Sequence, residues 1–400
     1  MMDVENLDNE VDKYVFVKYH PDLKPQILQL QTYLWGQDVS LNADYLAWKY
    51  EQNPYLKSSL IYAAMYFGKV VGMVGVYGAK WQVGIPPKSY ICPCFGDAVI
   101  HPDHRNQGLF RKMMTFALDD LSKTDTKYVF DFSARPEIAI VLMMNGWRSP
   151  GFLQTAHRTA VQGKIFRWLR DILNLLHFPT STARRLSGFM RGRSSDGSGQ
   201  QGRTLDQLEN NGTRPNNNSN SQITVERSPR PKAMAKLVER IGDDGRIQHV
   251  KDESYFEWRF QNPLSQYHFV FWDDPQLEGY LALQTPYPTY GTKVSLNVVD
   301  WESTSIQVLS GLFQAVFRWR TVSNLTLWSS TLSNEKIALL RRQGFDFVNK
   351  TGKIAHDIQP PTLFTRSVCP DGSRTDWHLN DRSLLDLLNW NMRMIYSDNY

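Results

Sequence analysis

The chain has 400 residues, 42% apolar and 12% aromatic, with a formal net charge of +5. That length accommodates two domains with sizeable cores, the apolar share excludes a disordered chain, and so small a charge does not argue for nucleic acid as a partner. Three cysteines (Cys92, Cys94, Cys369) cannot build a disulfide framework, no apolar run approaches the roughly 18 residues of a spanning helix, and the acidic opening carries no signal-like segment, so a cytoplasmic protein is expected.

Read in chain order, residues 14–19 predict a strand, and 24–34 a helix with Ile27, Leu28, Leu30 and Leu34 near helical spacing. Residues 60–65 and 70–77 predict a hairpin turning at Phe67-Gly68-Lys69. A strand over 89–100 ends at His101-Pro102. The helix over 109–121 places Leu109, Met113, Phe116, Ala117 and Leu121 on one face. A strand at 128–132 and a helix at 138–144, stopped by Gly146, complete this half.

Residues 192–232 are dominated by Ser, Gly, Asn, Gln, Arg and Pro and predict a disordered linker or insertion. Before it, residues 157–193 carry eight basic side chains against Asp171 alone, and Ile165, Trp168, Leu169, Ile172, Leu175 and Leu176 fall at helical spacing. Such a basic amphipathic segment packs between domains or lies on an anionic membrane surface. The expected division is therefore 1–160, a connector at 161–191, a linker at 192–232 and a second domain at 233–400.

In that second domain strands are predicted at 267–272, 279–284, 293–300 and 324–329, and helices at 308–319 and 335–342. The order repeats the first half. "LAWKYEQNP" at 46–54 returns as "FEWRFQNP" at 256–263, a strand ends near Asp97 and another near Asp300, and Gly146-Trp147 returns as Gly344-Phe345. Agreement in wording, order and spacing indicates a duplication. The fold class expected is α/β (α+β), two tandem domains, each a mixed, mostly antiparallel sheet flanked by helices.

The chemically informative run is Gly96–Met114, "GDAVIHPDHRNQGLFRKMM". A strand meets a helix across Arg105-Asn106-Gln107-Gly108-Leu109-Phe110. Successive amides at such a junction, with the helix N-terminus behind them, form a nest for a pyrophosphate. Gly108 allows close backbone approach, and Arg105 adds a cation. This segment resembles the acyl-CoA-binding motif of the GCN5-related N-acetyltransferases (GNATs), Gln/Arg-x-x-Gly-x-Gly/Ala. Arg105 and Gly108 match it, and Phe110 departs at the last position.

The resemblance covers roughly residues 13–160. It implies acetyl-CoA or another acyl-CoA held by Arg105 to Phe110, a pantetheine arm paired along Ala98, Val99 and Ile100, and acyl transfer to a primary amine. It also implies a degenerate second domain, since "WESTSIQVLSGLF" after Asp300 has no Arg-x-x-Gly and puts Glu302 where phosphates would lie.

Asp97 is the first candidate base and Asp131 the second, against a role in bonding local amides. The family's usual tyrosine acid would fall at Leu142, so that hydroxyl is missing. Trp48 and Tyr50 either pack a helix into the core or stack on a sugar acceptor. Cys92 and Cys94, i and i+2 on a strand, read as core residues rather than a nucleophile or metal pair, and His101 and His104 as loop packing or phosphate contacts. No metal site is expected. The layout is similar to acyltransferases associated with surface polysaccharides, which makes an amino sugar the first acceptor and a peptide or peptidoglycan-precursor amine the second. Residues 164–193 would bring any peripheral contact with the inner membrane face. A non-catalytic acyl-CoA sensor or scaffold is the reading from another class.

Overall fold

The computed structural model describes residues 14–132, 136–159, 222–285, 294–319, 322–347, 361–369 and 376–397. The connector 161–191 and most of the predicted linker lie outside them.

The first lobe runs β1 (Tyr14–Lys18), α1 (Lys24–Trp35), α2 (Val39–Leu46) with a π-helical turn at Ala47–Glu51, then β2 (Leu60–Tyr66) and β3 (Lys69–Tyr77). Next come β4 (Lys80–Val83), β5 (Lys88–Ile91), β6 (Cys94–Ile100), α3 (Leu109–Ser122), β7 (Tyr128–Asp131), α4 (Pro136–Met144), β8 (Arg148–Phe152) and β9 (Thr155–Thr159). The single strand predicted over 89–100 is two. Pro93 breaks it, having no N–H for a ladder, and β5 pairs with β4 in a small separate sheet while β6 joins the main one.

The second lobe runs β10 (Gln222–Glu226), α5 (Pro231–Ile241), β11 (Gln248–His249), α6 (Glu253–Arg259), β12 (Gln266–Asp273) and β13 (Leu277–Thr285). It continues through β14 (Val294–Ser303), α7 (Ile306–Phe317), β15 (Val322–Trp328), α8 (Asn334–Arg342), β16 (Asp346–Phe347) and β17 (Thr362–Ser367). The linker expected over 192–232 ends too late. "QITVE" forms β10, the edge strand of the second sheet, against β12, and Pro231 opens α5, because Ile, Thr and Val favour a pleated edge whatever polar sequence precedes them.

The two main sheets have the same seven-place order, β1-β2-β3-β6-β7-β17-β8 and β10-β12-β13-β14-β15-β9-β16. The duplication read from the sequence is thus a duplication of fold, two tandem lobes. The sixth place in each sheet is filled from the other half of the chain. β9 leaves the first lobe and inserts beside β15 and β16, and β17 returns to insert between β7 and β8. The boundary read at residue 160 falls just after the first of these exchanged strands.

Three larger buried clusters result. One lies under α3 and one under α7, where Leu109, Met113, Met114, Ala117 and Leu121 face the first sheet and Leu309, Leu312, Phe313 and Val316 the second. The third is continuous across both lobes and centres on Trp81, which is fully buried and touches the rings of Phe130, His249, Trp390 and Tyr396.

The repeated aromatic phrase meets itself at this junction. Trp48 and Trp258 stack with centroids 5.4 Å apart, and each indole donates to the other's carbonyl at 2.8 Å. Asn53 and Asn262 each cap the turn that follows, accepting from Tyr55 and Leu264. Six steps separate Trp48 from Pro54 and five separate Trp258 from Pro263. The π-helical turn at Ala47–Glu51 absorbs that extra residue, as one-residue insertions into helices do.

Candidate active site

In the first lobe β6 and β7 run parallel only at Cys94–Phe130 and Phe95–Asp131, then part, while β6 stays paired with β3 to Ile100. Among the described residues, one edge of Ala98, Val99 and Ile100 therefore has no ladder partner. The opening begins at an irregularity. Asp97 adopts φ 46°, a left-handed conformation uncommon outside glycine though more open to aspartate than to most residues, and the register with β3 shifts between Met73 and Gly75.

The expected phosphate loop lies at the end of this strand. Asn106 and Gly108 both have positive φ, 62° and 69°, and Arg105 through Gly108 are exposed. The first intrahelical bond of α3 runs from the Lys112 amide to the Gly108 carbonyl. Among the described residues, the amides of Asn106 through Arg111 reach no protein acceptor. Six consecutive N–H groups at a helix N-terminus, beside the exposed cations Arg105, Arg111 and Lys112, suit a pyrophosphate. A Cβ built on Gly108 would meet nothing within 4 Å, so the loop stands open. Phe110, the departure from the family pattern, packs its ring toward the core under α3 and leaves its amide available. Arg105 also ties the loop to the strand through Nε to the Ile100 carbonyl at 3.2 Å. His101 and His104 bond Tyr33 and Tyr14, which is loop packing.

Asp97 is buried and crowded with donors. Lys49 Nζ lies 3.0 Å from Oδ1 with both side chains 1% exposed. Tyr50 donates to Oδ2 at 2.6 Å and Tyr45 to Oδ1 at 3.3 Å. Lys49 also donates to the Tyr45 hydroxyl at 3.0 Å. Asp131 ends β7 opposite Phe95, so the two candidate carboxylates stand on facing strands where these part.

Two sequence expectations need correction. Trp48 is 3% exposed with its indole stacked on Trp258, and Tyr50 is 2% exposed with its hydroxyl on Asp97. Neither presents a face to a sugar, and the core-packing alternative describes both. Sequence reading also missed Lys49 and Tyr45 as partners of Asp97. A lysine inside an aromatic helix face was the available signal, because a buried ammonium requires an anion.

Leu142, where the tyrosine acid would stand, is fully buried in the first-lobe core. Cys92 and Cys94 are buried core residues, and burial pushes the Cys92 thiol up to about 12, which suits neither a nucleophile nor a ligand.

The second lobe repeats the opening and closes it. β14 and β15 pair only as far as Asn297–Thr326, and β14 shifts register near Asp300. The segment 390–397 spans this gap: the Met392 amide donates to Thr331 Oγ1 beyond β15, and Arg393 reaches Glu302 and lies over Trp301 on β14. Ser305 caps α7 with its own side chain. Burial alone would raise the Glu302 carboxyl, but Lys251, Arg393 and Lys336 hold it at about 2. An anion finds a carboxylate and a capped helix there.

Residues 18–140 match the family of acetyltransferase (GNAT) domains. Among solved structures the chain is similar to a GCN5-related N-acetyltransferase from Anabaena variabilis, at 10% identity and TM-score 0.55 over 89% of this chain and 73% of that one. It is also similar to a conserved Enterococcus faecalis protein described as a probable N-acyltransferase (10%, 0.53, 89% and 72%). A GCN5-related N-acetyltransferase from Kribbella flavida gives 12%, 0.50, 90% and 72%. At such identities the likeness is one of fold. No curated protein matches the chain.

Proposed function

We propose, from a chain whose residues 18–140 match the acetyltransferase (GNAT) domain family, an N-acyltransferase that moves an acetyl or other acyl group from acyl-CoA to a primary amine, with one donor site, in the first lobe. The observation that carries this reading is the row of partnerless amides from Asn106 to Arg111, set at the end of the strand whose edge opens at Ala98–Ile100. The row would hold the diphosphate, the free edge would pair with the pantetheine arm, and the Val99 region would offer an amide to the thioester carbonyl. The donor supplies an activated acyl group. Of the two candidate bases at the parting of β6 and β7, Asp97 and Asp131, we assign removal of the amine proton to Asp131, directly or through water.

An amino sugar, or a nucleotide-linked one, is the first acceptor to test, followed by peptide amines. Cytoplasmic action, with residues 164–193 touching the inner membrane face, belongs to the same proposal. The missing hydroxyl at Leu142 supports a second reading, an acyl-CoA sensor without turnover. Thiol release from acetyl-CoA across an amine panel separates the two: release establishes the enzyme, and saturable binding without release establishes the sensor. Gly108→Trp should abolish binding, and unchanged affinity would remove the site from α3.

A further inference from the structure

Asp97 and Asp300 occupy corresponding places, and the second lobe serves as an internal control for what such a residue does. Asp300 is fully buried, with Lys251 Nζ 2.5 Å away and the Tyr280 hydroxyl donating at 2.7 Å. Asp97 has Lys49 at 3.0 Å and the Tyr50 hydroxyl at 2.6 Å. Each aspartate sits at a register shift on the strand that parts from its parallel neighbour. The partners come from different places, since Lys49 is in the aromatic phrase and Lys251 precedes α6. Asp–Lys–Tyr is thus present in both lobes although the second has a carboxylate and a self-capped helix where the first has its amide row. On the reading that only the first lobe holds a donor, a feature present in both lobes serves the strand and not the chemistry.

Resting on the function proposed above and deepening it, we propose that Asp97 is a positioning residue: gripped by Lys49, Tyr45 and Tyr50, it pins the left-handed bulge that parts β6 from β7 and so sets Ala98–Ile100 in place. The physical case is direct. Both oxygens of this carboxylate are already engaged, Oδ1 by Lys49 and Tyr45 and Oδ2 by Tyr50, so an amine would have to displace a donor to reach it. The same three donors fix the side chain of a residue whose backbone stands in the left-handed region at φ 46°. The α2 segment, extended by its π turn, delivers Lys49 and Tyr50 to that point.

The test compares Asp97→Asn, Lys49→Met, the double variant, and the milder Tyr50→Phe in the full chain. Hydrogen exchange of amides 96–100 is read alongside kcat, KM for acetyl-CoA and the pH profile. Each single variant at the ion pair should speed exchange at 96–100 and lower kcat/KM by up to roughly 100-fold, the scale of an ångström of misplacement, mainly through KM. The acid limb of the pH profile should stay where it is. The double variant leaves no lone buried charge and should recover protection and kcat/KM relative to either single one. Tyr50→Phe should show the same pattern, weaker. A kcat loss in Asp97→Asn with unchanged exchange, a vanished acid limb and no recovery in the double variant would overturn the proposal in favour of a general base. Should the unaltered protein bind no acyl-CoA, the donor-site reading fails, and exchange at 96–100 still decides the clamp.

Discussion

Gly75→Ala tests the packing behind this clamp with a single methyl group. Gly75 lies on β3 opposite Gly96, and a Cβ built on it would fall 2.0 Å from the Tyr50 hydroxyl oxygen, 2.5 Å from Cζ and 2.8 Å from Cε1. Ordinary contact requires the ring to withdraw by more than about 1 Å. That movement stretches the 2.6 Å bond to Asp97 past the hydrogen-bonding limit.

The lost bond to a charged acceptor costs about 1.5–3 kcal/mol and overpacking about 1–3 kcal/mol. Gly75 is not in the left-handed region, so loss of unfolded-state freedom returns about 0.4–1 kcal/mol. The net expectation is a destabilisation of about 2–5 kcal/mol, a large share of the roughly 5–15 kcal/mol typical of a folded protein. Urea unfolding with an unchanged m-value measures it. In a Tyr50→Ala background the same substitution meets no ring and should cost less than about 0.5 kcal/mol. An equal cost in both backgrounds would show that Gly75 is not there to admit Tyr50.

Trp48→Ala and Trp258→Ala should each cost about 3–5 kcal/mol. Because each removes the same stack and both reciprocal bonds, the double variant should cost clearly less than the two together in denaturant titration. For Glu302, a folded carboxyl held at about 2 against an ordinary 4.5 contributes stability that is present above pH 4.5 and lost as pH falls toward 2. Glu302→Gln should flatten that acid limb in pH-dependent unfolding, and an unaltered limb would mean that Lys251 and Arg393 do not hold the charge.

Much of the element order was legible because periodicity survives in amphipathic segments such as α3 and in the hairpins. The strand-to-helix turn of the proposed phosphate loop was legible because it is one contiguous stretch of backbone, Arg105 to Phe110. What sequence could not show is what only tertiary pairing decides. "TAHRT" and "TLFTRS" fall in none of the predicted elements, and nothing local says that each belongs to the other lobe's sheet. Lys251 lies outside the repeated phrase, so its match to Lys49 emerges only when both ammoniums are found on equivalent aspartates. The same holds for Trp48, whose partner 210 residues away converts an inviting aromatic into an interior wall.

The crossing of β9 and β17 makes the polypeptide indivisible in a way that its repeated design conceals. Cut between 160 and 221, neither piece would carry the strand that joins its terminal ribbon, β8 or β16, to the rest of its sheet. Each fragment would hold a vacant slot and a strand with nowhere to pair, an invitation to promiscuous edge association. The interlacing makes the two lobes interdependent, since neither main sheet is completed by its own half of the chain.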